Sequence, residues 1–244
     1  MVNANRELAT MPEVSVMIFP KSINRSAMRN RLSTLGHYEW VLQVNSNVTI
    51  PSDDFIRKYL GAVSAYAIDA ASADGNGSDV DVICGNCTAT DDATNLRCRY
   101  ERAAKGARNL RNTNFMYRRE KLKGVRYDET IHGYGYEDVI YMKAIQQAGL
   151  RIKHIDNPVS YGNDISNEAY LRNTEEALHT LYSHKEKLTD TRLIRFIERH
   201  RIVSHITRCL FPIVQRALRS NLTGSHPNLN AFAVYKVGYY LNIR

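Results

Sequence analysis

The segment Gly133–Pro158 reads GYGYEDVIYMKAIQQAGLRIKHIDNP and contains a complete loop–helix–strand unit. An amphipathic helix is indicated by side chains at i, i+3, i+4 and i+7, which are Tyr141, Ala144, Ile145 and Ala148. Gly149 ends that helix, because glycine readily adopts the left-handed conformation that closes a helix. Arg151–Ile155 is then predicted to be a short strand.

Strands and helices alternate in the same way upstream. The predicted elements are a buried strand at Val14–Phe19, a helix at Arg25–Leu35, a strand at Trp40–Val44, a helix from Ser52 through Val63, a strand at Val80–Cys84 and a helix around Phe115–Leu122. This alternation favours an α/β fold with a mainly parallel sheet and helices on both faces. Ligands of such sheets bind beyond the carboxyl ends of the strands, here at Asn45–Asn47 and Cys84–Asn86.

The strands stop at about Asn167, and the rest of the pattern is helical. We therefore predict an α/β domain over residues 1–165 and a helical C-terminal appendage over residues 166–244. Pro212 is expected to break or kink the last long helical region.

Composition narrows the class of protein. The chain has 244 residues, of which 43% are hydrophobic and 24% charged, as in ordinary folded domains. It has no bilayer-length apolar run and no secretion-signal pattern at its start, so we expect a cytoplasmic protein. Cys84 and Cys87 have the spacing of zinc or redox sites, but no second ligand pair follows. Two reduced cysteines, one closing a buried strand, are the favoured interpretation.

The formal net charge of +8 indicates anionic partners. Basic residues concentrate between Arg97 and Arg111 and between Arg192 and Arg219. Phosphates of a ligand, anionic lipid or nucleic acid could each account for them. No nucleic-acid-binding motif is present, so we expect no nucleic-acid partner. The C-terminal stretch predicts either peripheral attachment to an anionic membrane surface or a solvated helical hairpin.

The glycines of the loop have a chemical consequence. Gly133 and Gly135 permit a tight backbone approach and place Glu137 and Asp138 in the first helical turn. The helix dipole favours negative charge there. A carboxylate at such a loop edge could act as a general base on a sugar hydroxyl group, or the pair could simply cap the helix.

An ordered series of motifs resembles family 2 glycosyltransferases with the GT-A fold, of the bacterial surface-polysaccharide type. The series comprises Arg25-Ser-Ala-Met-Arg-Asn30, Tyr38–Val48 with Asn45-Ser-Asn47, Asn112–Arg119, Tyr127-Asp-Glu129, Gly133–Asp138, Gly149 and Asn157-Pro158. The Gly133–Asp138 element is also similar to the C-terminal galactosyltransferase domain. The resemblance covers roughly Val14 to Asn163.

The resemblance implies transfer of a sugar from a UDP- or GDP-linked donor to a glycan or lipid-linked acceptor, with inversion at the anomeric carbon. Asp138 would be the general base and Glu137 would bind or orient the acceptor. Donor-binding residues would be Arg25, Arg29, Asn30, Asn45 and Asn47, and acceptor-binding residues would be Asn114, Gly135 and Tyr136. A divalent metal, Mg or Mn, would sit on the donor diphosphate, with Asn47 as its ligand.

The sequence departs from the family pattern at several positions, and these departures suggest an alternative to an active transferase. The family's Asp-x-Asp is Asn45-Ser46-Asn47 here, and uncharged amides are weaker ligands for hard divalent cations. Tyr161 stands where the family often has histidine. Only 24 residues precede Arg25, fewer than the family's N-terminal strand–helix units need, which suggests that those strands are lacking. The alternative is a catalytically inactive relative that binds a glycan or a protein partner.

Overall fold

A computed structural model describes residues 10–19, 21, 23–71, 80–104 and 113–243, with the side chains of residues 66–71 excepted. The strands in this part of the chain are β1 (Trp40–Val44), β2 (Val48–Thr49), β3 (Val82–Cys84), β4 (Cys87–Ala89), β5 (Asn114–Arg118), β6 (Ile152–His154) and β7 (Val159–Tyr161).

The helices of the same part are α1 (Arg25–Ser33), α2 (Phe55–Ala71), α3 (Leu96–Ala103), α4 (Arg119–Leu122), α5 (Glu137–Gln147), α6 (Asn167–Ser183), α7 (Arg192–Arg199), α8 (Arg201–Thr223) and α9 (Leu229–Leu241). A short 3-10 turn at Lys185–Lys187 follows α6. Across the described ranges, none of these helices has both the length and the apolar character that a bilayer span requires.

The strands form two sheets, ordered β1-β5-β3-β6 and β2-β7-β4. In the larger sheet, β5 pairs antiparallel with both β1 and β3, and β3 pairs parallel with β6. Three strands of that sheet therefore run in one direction and β5 alone opposes them. The predicted α/β class is confirmed, with parallel and antiparallel strands in the sheet. Because β5 lies between β1 and β3, only β3 and β6 are neighbours in parallel pairing in this sheet.

The helix predicted around Phe115–Leu122 is wrong over most of its length. Residues 114–118 form β5, and only Arg119–Leu122 is helical. Phe115 and Tyr117 face one side of the sheet and Met116 the other, and all three are buried. A strand covered on both faces lacks the alternation of polar and apolar residues that distinguishes strand from helix.

Helices cover both faces of the larger sheet, as predicted. On one face, Val82 and Phe115 pack with Tyr141 and Ile145 of α5. On the other, Ile83 and Met116 pack with Phe55 and Tyr59 of α2. Because β1 and β3 run in parallel, their carboxyl ends meet at one edge, and both ends bond to the start of β5. Asn45 N–H donates to Thr113 O at 2.9 Å, and Gly85 N–H donates to Asn114 O at 3.1 Å.

Two further predictions about local structure need correction. Val14–Phe19 belongs to no strand, and Ile18 is 87% exposed. A strand requires a pairing partner, and the apolar run alone does not provide one.

Pro212 neither breaks nor ends its helix, since α8 runs through it to Thr223. An interior proline removes the N–H that would bond to the carbonyl group four residues earlier. That carbonyl belongs to Arg208, and the Asn242 side-chain amide donates to it at 3.3 Å. A side chain beyond the end of α9 thus replaces the missing backbone donor.

The C-terminal helices pack on α3 of the α/β part. Leu96 of α3 and Leu171 of α6 share a buried cluster with Phe211, Phe232 and Tyr235 of α8 and α9. The predicted boundary between residues 165 and 166 stays a prediction. Cys84 closes β3 and is fully buried, and neither Cys84 nor Cys87 forms a disulfide with a described residue. The interpretation of two reduced cysteines stays a prediction.

Candidate active site

A cavity of about 990 Å³ opens at the carboxyl ends of the strands, between the α/β part and the C-terminal helices. Its wall combines residues after β1, the start of α5 and side chains from α1, α3, α6, α7, α8 and α9. The predicted site residues that line it are Arg25, Arg29, Asn45, Asn47, Gly135, Tyr136, Glu137 and Asp138. Chain segments more than 100 residues apart are therefore brought to one cavity.

The loop before α5 is fixed by its contacts with α6. A Cβ atom on Gly135 would lie 2.6 Å from Ala177 Cβ, and one on Gly133 would lie 2.5 Å from Thr180 Oγ1. Tyr134 N–H donates to Glu176 Oε1 at 2.9 Å, and Thr180 Oγ1–H donates to Tyr134 O at 3.0 Å. Glycine is required at these positions because α6 leaves no room for a side chain.

Tyr136 adopts a left-handed backbone, with φ of +65°, directly before α5. This conformation costs a non-glycine residue roughly 1–2 kcal/mol. Gly135 before it has φ of +87°. The two positive φ angles turn the chain so that α5 begins at the cavity wall, with Glu137 and Asp138 in its first turn. Strain of this kind persists where surrounding contacts fix the backbone, as α6 does here.

Glu137 is a buried carboxylate held by two arginines. Its exposed fraction is 5%, and its Oε1 lies 3.4 Å from Arg29 Nη1 and 3.5 Å from Arg25 Nη1. Its Oε2 is buried without a hydrogen-bond partner among the described residues. Burial raises the pKa of Glu137, the neighbouring Asp138 raises it further, and Arg29 and Arg25 oppose both effects. Glu137 thus fixes two arginines at the cavity wall.

Asp138 is half-buried and lines the cavity beside Glu137. One carboxylate oxygen, Oδ1, accepts the backbone N–H of Val139 at 2.9 Å. The carboxylate stands at the N-terminus of α5, where the helix dipole stabilises negative charge. It is therefore positioned to accept a proton from a ligand in the cavity.

The Asn45-Ser46-Asn47 segment does not present a donor set that fits a hard divalent cation. Asn45 Oδ1, the oxygen that could coordinate a metal, accepts a hydrogen bond from Arg29 Nη2 at 3.2 Å. The nearby Glu137 carboxylate already faces two guanidinium groups. Within the described ranges, no group of three or more His, Cys, Asp or Glu side chains has metal-binding geometry. Asn45 Oδ1 therefore faces a guanidinium group, and an uncharged amide beside fixed positive charge is a poor ligand for a hard divalent cation.

The cavity wall is rich in basic side chains. Seven basic and four acidic residues line it, namely Arg25, Arg29, Arg97, Lys143, Arg192, Arg195 and Lys236 against Glu101, Glu137, Asp138 and Asp190. Some are engaged: Lys143 forms an ion pair with Asp190, and Arg97 bonds to Asp164 and Gly162 O. The Arg97 guanidinium also lies 5.2 Å from the Tyr161 ring. The excess of positive charge favours an anionic ligand.

Two predicted site residues do not line the cavity. Asn30 is buried, and its side-chain amide forms two hydrogen bonds with the backbone of Tyr127. Its Nδ2 donates to Tyr127 O at 3.0 Å, and its Oδ1 accepts Tyr127 N–H at 2.9 Å. Asn114 is fully buried at the start of β5, and its Nδ2 donates to Asn157 O at 2.8 Å. In place of the predicted contacts with donor and acceptor, both amides join segments distant in sequence. The structure therefore gives both asparagines a role in holding the fold together.

Several lining residues were not named as site residues from the sequence. Arg97, Arg192 and Arg195 appeared only as members of basic stretches, and Lys143 and Lys236 carried no signal at all. The basic stretches were the one available indication for the arginines. The part of the first stretch that contains Lys105, Arg108 and Arg111 lies outside the described residues.

Comparison with known proteins gives a general likeness of fold. No protein-family model matches the chain, and no significant match to a curated protein was found. The chain is similar to S. aureus TarS 1-349, with 14% identity and a TM-score of 0.41 over 89% of this chain and 69% of that one. For the same TarS chain in complex with UDP, the identity is 15% and the TM-score 0.42, with equal coverage. For a longer TarS chain, 42% is covered at a TM-score of 0.41.

Proposed function

We propose that the cavity is the active site of an inverting glycosyltransferase, which transfers a sugar from a UDP- or GDP-linked donor to a glycan or lipid-linked acceptor. One observation carries this proposal: the half-buried Asp138 carboxylate lines an open, predominantly basic cavity beside an arginine-bound Glu137. The order of the motifs from Arg25 to Asp138 adds the resemblance to family 2 glycosyltransferases.

The proposed reaction uses Asp138 as general base. The acceptor hydroxyl oxygen attacks the anomeric carbon of the donor from the face opposite the diphosphate. As that bond forms, the bond from the anomeric carbon to the diphosphate oxygen breaks, and the hydroxyl proton passes to the Asp138 carboxylate. The leaving nucleoside diphosphate carries the bonding electrons and the resulting negative charge.

The leaving-group charge is assigned to the arginines of the wall. Arg25 is half exposed and Arg29 is buried, and Glu137 holds the guanidinium groups of both. Guanidinium groups fixed in place before the reaction stabilise developing phosphate charge without reorganising. The donor-binding role predicted for Arg25 and Arg29 is kept in this proposal, and no step passes through a metal ion.

The test is nucleotide release from a panel of UDP- and GDP-sugars, with acceptor glycans, in the presence of either Mn²⁺ or a chelator. For Asp138→Asn we expect release to fall by about 10²–10⁴-fold, the usual contribution of a general base. Nucleotide affinity, measured by calorimetry, should change little, because the base acts on the acceptor. Release should persist in the chelator.

Asp54→Asn is the matched control. It makes the same chemical change at an exposed residue paired with Arg57, away from the cavity. It should release nucleotide at the parent rate. If Asp138→Asn releases nucleotide as fast as the parent does, Asp138 is not the base and the proposed mechanism is wrong.

A second candidate function is favoured by the contact between Arg29 and Asn45. A chain that has replaced its metal ligands with amides and arginines could bind a nucleotide or glycan without turning it over. Calorimetry with UDP and GDP would then show binding, while no donor in the panel would release nucleotide with any acceptor. Measurable release abolished by Asp138→Asn would exclude this candidate.

A further inference from the structure

Helix α8 has an apolar face turned away from the body of the protein. Ser204, Phe211 and Leu222 form its buried side. On the opposite side lie exposed apolar side chains, which we call the α8 outer face: Ile202, Val203, Ile206, Leu210, Ile213 and Val214. The exposed fraction is 79% for Ile202 and 77% for Ile213. Apolar residues spaced at 202, 206, 210 and 213 form one continuous helical stripe.

The two helices that carry this stripe are rich in positive charge. Residues 192–223, which cover α7 and α8, contain seven arginines and one acidic residue, Glu198. Arg201, Arg208 and Arg216 are exposed on the same helix. At about 3.6 residues per turn, Arg216 lies next to the stripe, whereas Arg201 and Arg208 lie toward the side of Ser204 and Phe211. Arg219 bonds to Glu168 and Glu175, and Arg192 and Arg195 of α7 line the cavity. The outer face is therefore apolar, and it belongs to a pair of helices whose charge is predominantly positive.

We propose that the α8 outer face binds an anionic membrane surface, with α8 lying in the plane of the interface. An exposed apolar stripe on an arginine-rich pair of helices matches the acyl boundary and the anionic headgroups of such a surface. A second copy of this chain is the less favoured occupant, because two copies would bring their arginines together without acidic partners. Nucleic acid would use the arginines but would leave the isoleucines exposed to water.

The position of the surface relative to the cavity supports the same inference. Val203 belongs to the outer face and also lines the cavity. Phe196 and Thr207, on the same pair of helices, line the cavity as well. A membrane in contact with α8 would lie beside the cavity opening. If the proposed transferase function is correct, this arrangement suits an acceptor carried on a lipid. Membrane binding itself does not depend on that function.

The experiment is vesicle co-sedimentation of the full chain and two variants. Vesicles of phosphatidylcholine alone are compared with vesicles that also contain phosphatidylglycerol. We expect binding only to the anionic vesicles, weakening as salt rises. The charge variant Arg201→Gln/Arg208→Gln/Arg216→Gln should bind about 100-fold more weakly, at roughly fivefold per basic side chain.

The apolar variant Ile202→Ser/Ile206→Ser/Ile213→Ser should lose at least about tenfold in binding, because it removes the inserted side chains. The matched controls, Arg57→Gln/Lys58→Gln/Lys123→Gln and Ile56→Ser/Leu60→Ser, change exposed residues elsewhere and should bind as the parent does. Circular dichroism and thermal unfolding of every variant confirm the fold, which the buried side of α8 maintains.

Three results would overturn the proposal. Parent binding that is equal on neutral and anionic vesicles would remove the role of the arginines. Binding unchanged in both α8 variants would place the contact elsewhere. Concentration-dependent dimerisation in sedimentation velocity, abolished by the apolar variant and without vesicle binding, would assign the outer face to a second copy of the chain.

Discussion

Replacing Arg29 with methionine would remove the most enclosed cation of the candidate site. The Arg29 side chain is 8% exposed, and its Nη1 lies 3.4 Å from Glu137 Oε1. Its Nη2 donates to Asn45 Oδ1 at 3.2 Å, and its guanidinium lies 5.2 Å from the Tyr127 ring. Methionine retains a long flexible stem that can fill the same space, so the change isolates the polar and charged contacts.

We expect the free energy of unfolding to fall by about 3 kcal/mol at neutral pH. Removing one partner of a buried ion pair costs roughly 3–5 kcal/mol. The lower end applies because Arg25 still lies 3.5 Å from the same Glu137 oxygen. The hydrogen bond to Asn45 and the contact with Tyr127 would add roughly 1–2 kcal/mol each if contacts were additive, which neighbouring contacts are not.

The loss should depend on pH through Glu137. Burial, and then Asp138, already raise the pKa of Glu137 above its ordinary value of 4.5. Removing Arg29 raises that pKa further. A carboxyl group with a higher pKa in the folded than in the unfolded protein stabilises the fold below its unfolded pKa, and this contribution is lost as pH rises through the folded pKa. The destabilisation should therefore be largest at neutral pH. It should shrink toward about 1.5 kcal/mol at acidic pH, where Glu137 is uncharged and only the hydrogen bond to Asn45 and the contact with Tyr127 are missing.

Urea unfolding at several pH values measures the effect, followed by the fluorescence of Trp40, the single tryptophan, which lies on β1. Arg25→Met is the matched control. It removes an ion pair with the same carboxylate oxygen, but its side chain is 47% exposed, so we expect a loss of under about 1 kcal/mol. An equal loss in both variants, or a loss for Arg29→Met that does not change with pH, would refute the role given to this ion pair.

Three further predictions concern the backbone and the thiols. Gly135→Ala should lower the free energy of unfolding by at least about 2 kcal/mol, because φ is +87° and the new methyl group meets α6. Gly124→Ala, with open space around it, should change that free energy by no more than about 0.5 kcal/mol in the same urea assay. Asn242→Ala should cost about 1 kcal/mol in the parent and clearly less in a Pro212→Ala background, where the restored N–H satisfies the same carbonyl; an equal cost in both backgrounds would contradict this. Thiol labelling of the native protein should show one fast site, the exposed Cys209, and Cys209→Ser should remove that fast phase.

Sequence patterns predicted those elements whose structure is determined by residues close together in the chain. The strand at Trp40–Val44 and the helix beginning at Phe55 lie where their apolar residues placed them. The turn of Gly133–Asp138 was predictable because two glycines and two first-turn acids determine it over six residues. The structure adds the reason for the glycines, which is the close approach of α6.

Contacts between distant segments could not be predicted in the same way. Glu137 and Arg29 are 108 positions apart, and nothing in either motif indicates that they form an ion pair. The prediction of a helix at β5 was wrong for a related reason, because the direction and place of this strand depend on pairing with Trp40–Val44 and Val82–Cys84. Asn30 and Asn114 stand in motifs associated with ligands, yet their hydrogen bonds hold the fold together.

The C-terminal helices have more to do with the site than their predicted description as an appendage implies. Helix α6 fixes the loop before α5, since Ala177 lies against Gly135 and Thr180 bonds to Tyr134. The positive φ angles that direct Glu137 and Asp138 to the cavity wall therefore depend on a helix beyond residue 166. Helices α7 and α8 complete the opposite wall with Arg192, Arg195 and Val203. In the sequence, these arginines resemble a solvated helix face; the structure makes them one side of the cavity, because folding brings the helical segment back over the strand ends.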